Sequence, residues 1–341
     1  MRARYLLILS IALLCRGIAA QAGITIDTVR VGDVGNESDT TSFGSVGYMY
    51  NIGEYEVTVG QYTAFLNATA ATDTYGLYNT EMARTTNGSG ITRSGNSGSY
   101  KYSVASDFAN RPVNYVSFWD SCRFANWLHN GQPTGLQNAS TTERGAYTLD
   151  GCLGFGGAEI QRNAGWKWAV TSDDEWYKAA YYKGGSTNAG YWMYPTCSNT
   201  VPGCDMADAS GNNANIHIGS GPYPIDSGKY TTVVGQFHNS HGPYGTFDQG
   251  GNVWEWTDIV PYSSYRCNRG GSYSGMYGYG LQAINRYKSW PSAEIPNIGF
   301  RIVQAVPEPP SVLAMLTGLG SLGLASRRRK VTRRSRRGGC L

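Results

Sequence analysis

Eleven residues of this 341-residue chain set a chemical problem: Asp248-Gln-Gly-Gly-Asn-Val-Trp-Glu-Trp-Thr-Asp258. Glu255 stands between two tryptophans, and a carboxylate held among large apolar rings needs a cation or backbone donors beside it. The glycine pair ahead of it permits a tight turn or a close backbone approach. Downstream, Arg269-Gly-Gly-Ser-Tyr273 adds a guanidinium and a hydroxyl, Ser272. Other chemistry finds little support. The four histidines include only one close pair, His238 and His241, in a glycine-rich loop without a third ligand. No Gly-x-Ser-x-Gly elbow and no phosphate loop occurs. Of seven cysteines, Cys122, Cys152, Cys197, Cys204 and Cys267 lie in the body of the chain. Five is an odd number, so at least one is expected to be free or paired between chains. Cys197 and Cys204 flank a short loop and are the expected local disulfide.

Several blocks resemble one family in order. Gly-Asn-Val-Trp-Glu-Trp, Arg269-Gly-Gly-Ser-Tyr273 and Asn297-Ile-Gly-Phe-Arg301 are similar to the closing motifs of the formylglycine-generating enzyme (sulfatase-modifying factor) family. Upstream, Glu54-Tyr-Glu-Val-Thr-Val-Gly-Gln-Tyr-Thr-Ala-Phe65, Pro112-Val-Asn-Tyr-Val-Ser-Phe-Trp-Asp120 and Thr171-Ser-Asp-Asp-Glu-Trp-Tyr-Lys-Ala-Ala180 resemble its other blocks. The resemblance spans residues 43–303. It implies an α+β, single-domain fold, a variant of the C-type-lectin fold with little regular secondary structure.

The family's oxidase chemistry uses two cysteines shortly after the Gly-Gly-Ser-Tyr block, which bind copper. Soft thiolates are what copper(I) requires. Carried over without gaps, those positions fall on Gly275 and Gly280, and residues 268–303 contain no cysteine. Ser272, the family's active-site serine, is retained without a thiol to serve. Oxidase activity is therefore not expected, nor is copper.

The resemblance implies calcium instead. One site carries over to Asp248, Gly251, Val253 and Glu255, a second to Asn215, Ile216, Asp226 and Gly228. Carboxylate, amide and carbonyl oxygens are the ligands a hard cation takes. The competing reading is that these turn carboxylates accept backbone N–H bonds. The family's groove maps onto Arg269, Ser272, Tyr273, Tyr277, Tyr279, Asn285, Arg286 and Tyr287, where tyrosines interleaved with glycine suit sugars or peptides. They equally suit a core.

The elements that must position these groups are short. Thr58 is the expected N-cap of a helix over residues 59–67, and Ser117 of one reaching His129. Ser172-Asp-Asp-Glu175 is a capping box opening a helix through Tyr182. Short strands are expected between residues 24 and 55, and long surface excursions at 71–103 and 130–164.

The ends read as targeting devices. Residues 1–22 carry two arginines, an apolar run and Ala20-Gln-Ala22, the pattern of a secretory signal. From residue 306, Val-Pro-Glu-Pro-Pro310 leads into about 14 apolar residues and the basic Arg327-Arg-Arg-Lys330. This resembles a PEP-CTERM sorting tail, which implies brief membrane contact and removal by an exosortase-type membrane protease. The expected organisation is signal, domain over 23–305, and tail over 306–341. Between the leader and the basic cluster, 17 basic residues face 24 acidic ones, a net charge of −7. That balance excludes a nucleic-acid partner and favours cations. The expectation is a protein sorted to the cell surface or matrix of a Gram-negative-type bacterium that binds a glycan or surface protein. An enzyme of unassigned chemistry and a structural matrix component are the alternatives.

Overall fold

The computed structural model describes residues 23–307 except 158, 219–224, 227, 263, 276 and 277. The expected signal peptide, nearly all of the expected sorting tail and Tyr277 lie outside the described residues. The chain opens with β1 (Thr28–Val31) and β2 (Tyr50–Gly53), then α1 (Val59–Thr69). A hairpin follows, β3 (Ile91–Ser94) and β4 (Lys101–Val104), then α2 (Phe118–His129), β5 (Trp168–Val170) and α3 (Asp173–Tyr181). The C-terminal third supplies β6 (Trp254–Tyr262), β7 (Tyr265–Arg269), β8 (Tyr287–Ser289), β9 (Ile298–Phe300) and β10 (Ile302–Ala305).

Two four-stranded sheets organise the domain. The first runs β1-β2-β10-β5, so the last strand inserts between elements from the first half of the chain. Its pairings are antiparallel, with Ala305 opposite Tyr50 and Ile302 opposite Val170. The second runs β8-β7-β6-β9, antiparallel except for the parallel pair β6–β9. β9 and β10 are separated by Arg301 alone, which places that side chain between the sheets.

All three helices start at the expected caps. The hydroxyls of Thr58, Ser117 and Ser172 each accept from the N–H three residues on, and Gln61, Asp120 and Glu175 reach back to the cap N–H. Each box satisfies two donors that the first turn leaves without partners. The core joins α1 to α2 through rings: Phe65 meets Phe124 at 5.4 Å and Trp127 at 5.3 Å, and Phe124 meets Phe300 of β9 at 5.3 Å.

The two excursions are more than surface. The first contributes the β3–β4 hairpin and buries Leu77, Met82, Ile91 and Tyr102. The second buries Ala146, Tyr147 and Leu149. Their polar composition hides these anchors, which stand alone or in pairs within stretches rich in glycine, serine, threonine and asparagine. Between α3 and β6 the described residues form only isolated bridges, such as Asn215 with Gly251.

Candidate functional site

Glu255 occupies the middle of the join between the sheets, on β6, fully buried. Arg301 approaches it from the β9–β10 junction. Its Nη2 lies 2.8 Å from Oε1 and its Nε 3.0 Å from Oε2, while Trp176 Nε1 donates to Oε2 at 2.7 Å. The same guanidinium donates to the carbonyls of Gly53 and Phe247. The cation beside Glu255 is thus Arg301, and both carboxylate oxygens accept hydrogen bonds from it or from Trp176.

One guanidinium does not balance the cluster. Glu56 is also fully buried, 3.9 Å from Arg301, and neither of its carboxylate oxygens has a hydrogen-bond partner among the described residues. Burial raises its pKa strongly, and Asp248 beside it adds to the rise. Asp248, in a left-handed turn at φ 59°, accepts from the Gly235 N–H. Burial pushes its pKa up to about 6, against the lowering by the Gly235 N–H and Arg301. Two fully buried carboxylates, Glu56 and Glu255, and the partly buried Asp248 therefore share one arginine. Such a deficit is met by a proton or by a cation.

Of the first expected calcium set, Asp248 fits this deficit and Glu255 does not; Glu56 is the carboxylate that stands open. Gly251 lies against the Asn215 backbone, where a Cβ would come within 2.5 Å of the Asn215 carbonyl oxygen. Val253 is buried immediately before β6 begins. In the second set, Asn215 Oδ1 is buried without a partner, as a ligand oxygen would be. Asp226, however, lies 2.7 Å from Arg111, so its charge is already met. Ile216 is buried, and Gly228 has φ 97°. Among the described residues no group of three or more His, Cys, Asp or Glu side chains is gathered as metal ligands.

The expected groove divides in two. Arg269 is fully buried, with Nε and Nη2 each 2.7 Å from Asp173 oxygens, and its guanidinium lies over the rings of Phe43 and Tyr177. It is a strut of the fold and does not face a ligand. Tyr273 is buried, its hydroxyl reaching the Pro296 carbonyl. Ser272 is buried in a small polar knot, 3.0 Å from Ser274 Oγ, with Asn297 Nδ2 donating to both hydroxyls.

The exposed half is Tyr279, Arg286 and Tyr287, with Asn285 holding the Tyr279 carbonyl. Gly275 and Gly280 frame the knot. A Cβ on Gly275 would meet the Ser272 carbonyl at 3.2 Å, and one on Gly280 would meet Gly271 Cα at 3.0 Å and the Trp254 ring at 3.1 Å. The ring of Trp254 thus fills space beside Gly280, and its other neighbour is Tyr287 at 5.8 Å.

The expected Cys197–Cys204 bridge is not formed; both are free thiols whose pKa burial raises. Cys197 sits in a left-handed turn tied by the Tyr194–Ser198 pairing, whereas Cys204 follows the Gly203–Asn213 pairing. The two sulfurs belong to separately anchored turns.

Sequence reasoning missed the aromatic surface near this site. Tyr265 stacks on Trp290 at 4.2 Å, and Phe155 meets Trp290 edge-on at 4.8 Å. Trp290 and Phe155 are exposed. Only the adjacency of Tyr287 and Trp290 in the chain hinted at it.

The model of the sulfatase-modifying factor enzyme 1-like domain matches residues 34–306. No curated protein matches the sequence. Among solved structures, CarF aligns with a TM-score of 0.50 and 21% identity, covering 83% of this chain and 99% of that one. Treponema denticola variable protein 1 aligns at 0.47 and 19% (81% and 94% covered). PvdO from Pseudomonas aeruginosa aligns at 0.43 and 17% (83% and 92% covered).

Proposed function

We propose that this chain, which belongs to the sulfatase-modifying factor enzyme 1-like family, is an exported, surface-sorted binding module rather than an oxidase. The observation that carries the reading is the pair Gly275 and Gly280. Neither offers a thiolate, and Trp254 packs against the second. Copper(I) has no soft ligand at either position. What remains is a hydroxyl and amide knot (Ser272, Ser274, Asn297) beside Trp254, Tyr279 and Tyr287. Rings next to hydrogen-bonding groups are the equipment for holding a sugar or an extended protein segment.

Calcium fits as a structural ion at Asp248 with Glu56, two carboxylates that share Arg301 with Glu255 and are left short of positive charge. Bound there, it supplies charge neutralisation and cross-links the start of α1 to the strand entering Glu255. Export and tail removal rest on the sequence of the two ends. The C-type-lectin relationship likewise remains part of the proposal.

The test is binding of the whole chain to arrayed glycans and surface proteins, repeated with Tyr287→Ala. Retained stability with at least about tenfold weaker binding supports the groove. Unchanged binding removes it. Conversion of a sulfatase cysteine peptide to its aldehyde in the presence of copper would overturn the non-oxidase reading outright.

A further inference from the structure

A second cleft, of about 690 Å³, opens between Tyr48 and Trp166, away from the Ser272 knot. Its back wall is the buried pairing of Arg162 with Glu175 and Asp258. Arg162 donates to both Glu175 oxygens at 2.8 Å, to Asp258 Oδ2 at 2.9 Å and to the Val170 carbonyl at 2.6 Å. Tyr48 donates to Glu175 at 2.7 Å. The guanidinium lies 4.5 Å over the Trp166 ring and fixes it. Arg162 thus spends four of its N–H donors on inward partners, and two carboxylates already balance its charge, so it offers an anion little.

What the cleft presents to solvent is acceptor-rich. Asp174 is partly exposed and uses one oxygen for the Gly44 N–H at 2.8 Å. Asp258 uses Oδ2 for Arg162 and Tyr147, with its other oxygen remaining. Gln161 and Asn163 add amide groups along the rim, Gln161 exposed. Two aromatic walls with carboxylate and amide acceptors between them match a ring whose faces are apolar and whose edge carries donors.

The geometry points to this cleft as a saccharide site for a neutral or amino sugar unit, and against a uronic acid. Hydroxyl or ammonium donors meet the oxygens of Asp174 and Asp258 while the sugar face packs on Trp166. A sugar carboxylate would instead face Asp173, Asp174 and Asp258 together, with Arg162 already balanced by Glu175 and Asp258. Tyr287 does not line this cleft, although the cleft's Asp173 is paired with Arg269 and lies 3.7 Å from Arg286 of the groove.

Titrate the whole chain with three probes: a neutral gluco-oligosaccharide, a partly deacetylated chito-oligosaccharide and an oligogalacturonate, following tryptophan fluorescence and heat. Binding of either of the first two, with oligogalacturonate inert, is expected. Trp166→Ala and the exposed-rim variant Gln161→Ala should each weaken it, the first by at least about tenfold. Tyr287→Ala, which tests the groove, should leave the Trp166-dependent component of binding unchanged. Gln161→Ala keeps the test decisive if Trp166→Ala lowers the melting temperature. Preference for the oligogalacturonate, preference for a basic peptide over all three sugars, or affinity unaffected by both rim variants would overturn the assignment.

Discussion

Glu255 and Arg301 are locked together in the centre of the domain, and their pairing has a measurable weight. Arg301→Met leaves Glu255 buried beside Glu56 and Asp248 with no cation at all. A loss of about 3–5 kcal/mol in denaturant unfolding is expected, because an uncompensated buried charge is the costliest product of breaking such a pair. Glu56→Gln acts in the opposite sense. Removing a carboxylate whose two oxygens have no partner should raise stability in chelator and erase any stabilisation by calcium. If Glu56→Gln keeps the full calcium response, the ion is not held by this pair.

The need of Glu255 for a cation was legible from its place between two tryptophans. The identity of that cation was not, because Arg301 lies 46 residues away and meets it only across the β6–β9 pairing. The isolation of Glu56 was still less visible. In the chain it is an ordinary polar residue between Tyr55 and Val57, and only burial makes it unusual.

Helix starts were readable because capping chemistry is local: hydroxyl, two residues, then a carboxylate or amide. Ser172→Ala tests one such element. It should cost about 1 kcal/mol of stability through the lost cap. It should also loosen Glu175, whose Oε2 accepts from the Ser172 N–H and from Arg162 together, and so weaken ligand binding in the Tyr48–Trp166 cleft. A stability loss with cleft binding unchanged would separate the cap from the cleft.

The sheets were only partly readable. The strands expected between residues 24 and 55 are β1 and β2, but β10 between β2 and β5 depends on partners more than 130 residues distant. The hairpin at 91–104 escaped because its buried residues are single apolar positions in a polar stretch. The groove misled for a related reason: Arg269 and Tyr273 look like ligand-facing residues by type, yet Asp173 and Pro296 claim them.

At the scale of the whole molecule, the excess of acids over bases is not spread evenly, since part of it is buried. Asp248 has its pKa raised to about 6 and Asp120 to about 7, both mainly by burial. A carboxyl whose folded pKa exceeds its unfolded value near 4 binds more protons when folded. Its contribution to stability is complete below about pH 4 and is lost as pH rises through the folded value. In chelator, the melting temperature should therefore fall between pH 5 and 7.5. Calcium bound at Asp248 and Glu56, as proposed, would replace the protons held there, so the fall should be shallower in its presence. Parallel pH profiles with and without the ion would contradict that placement.

The most direct test of the account is thermal unfolding of the whole chain at pH 7.5 with chelator, with calcium and with copper(I). If the proposed structural ion is bound and no copper site is present, the domain should melt several degrees higher with calcium and respond to copper(I) no more than a Cys-depleted variant does. A stoichiometric rise with copper(I) and none with calcium would contradict it.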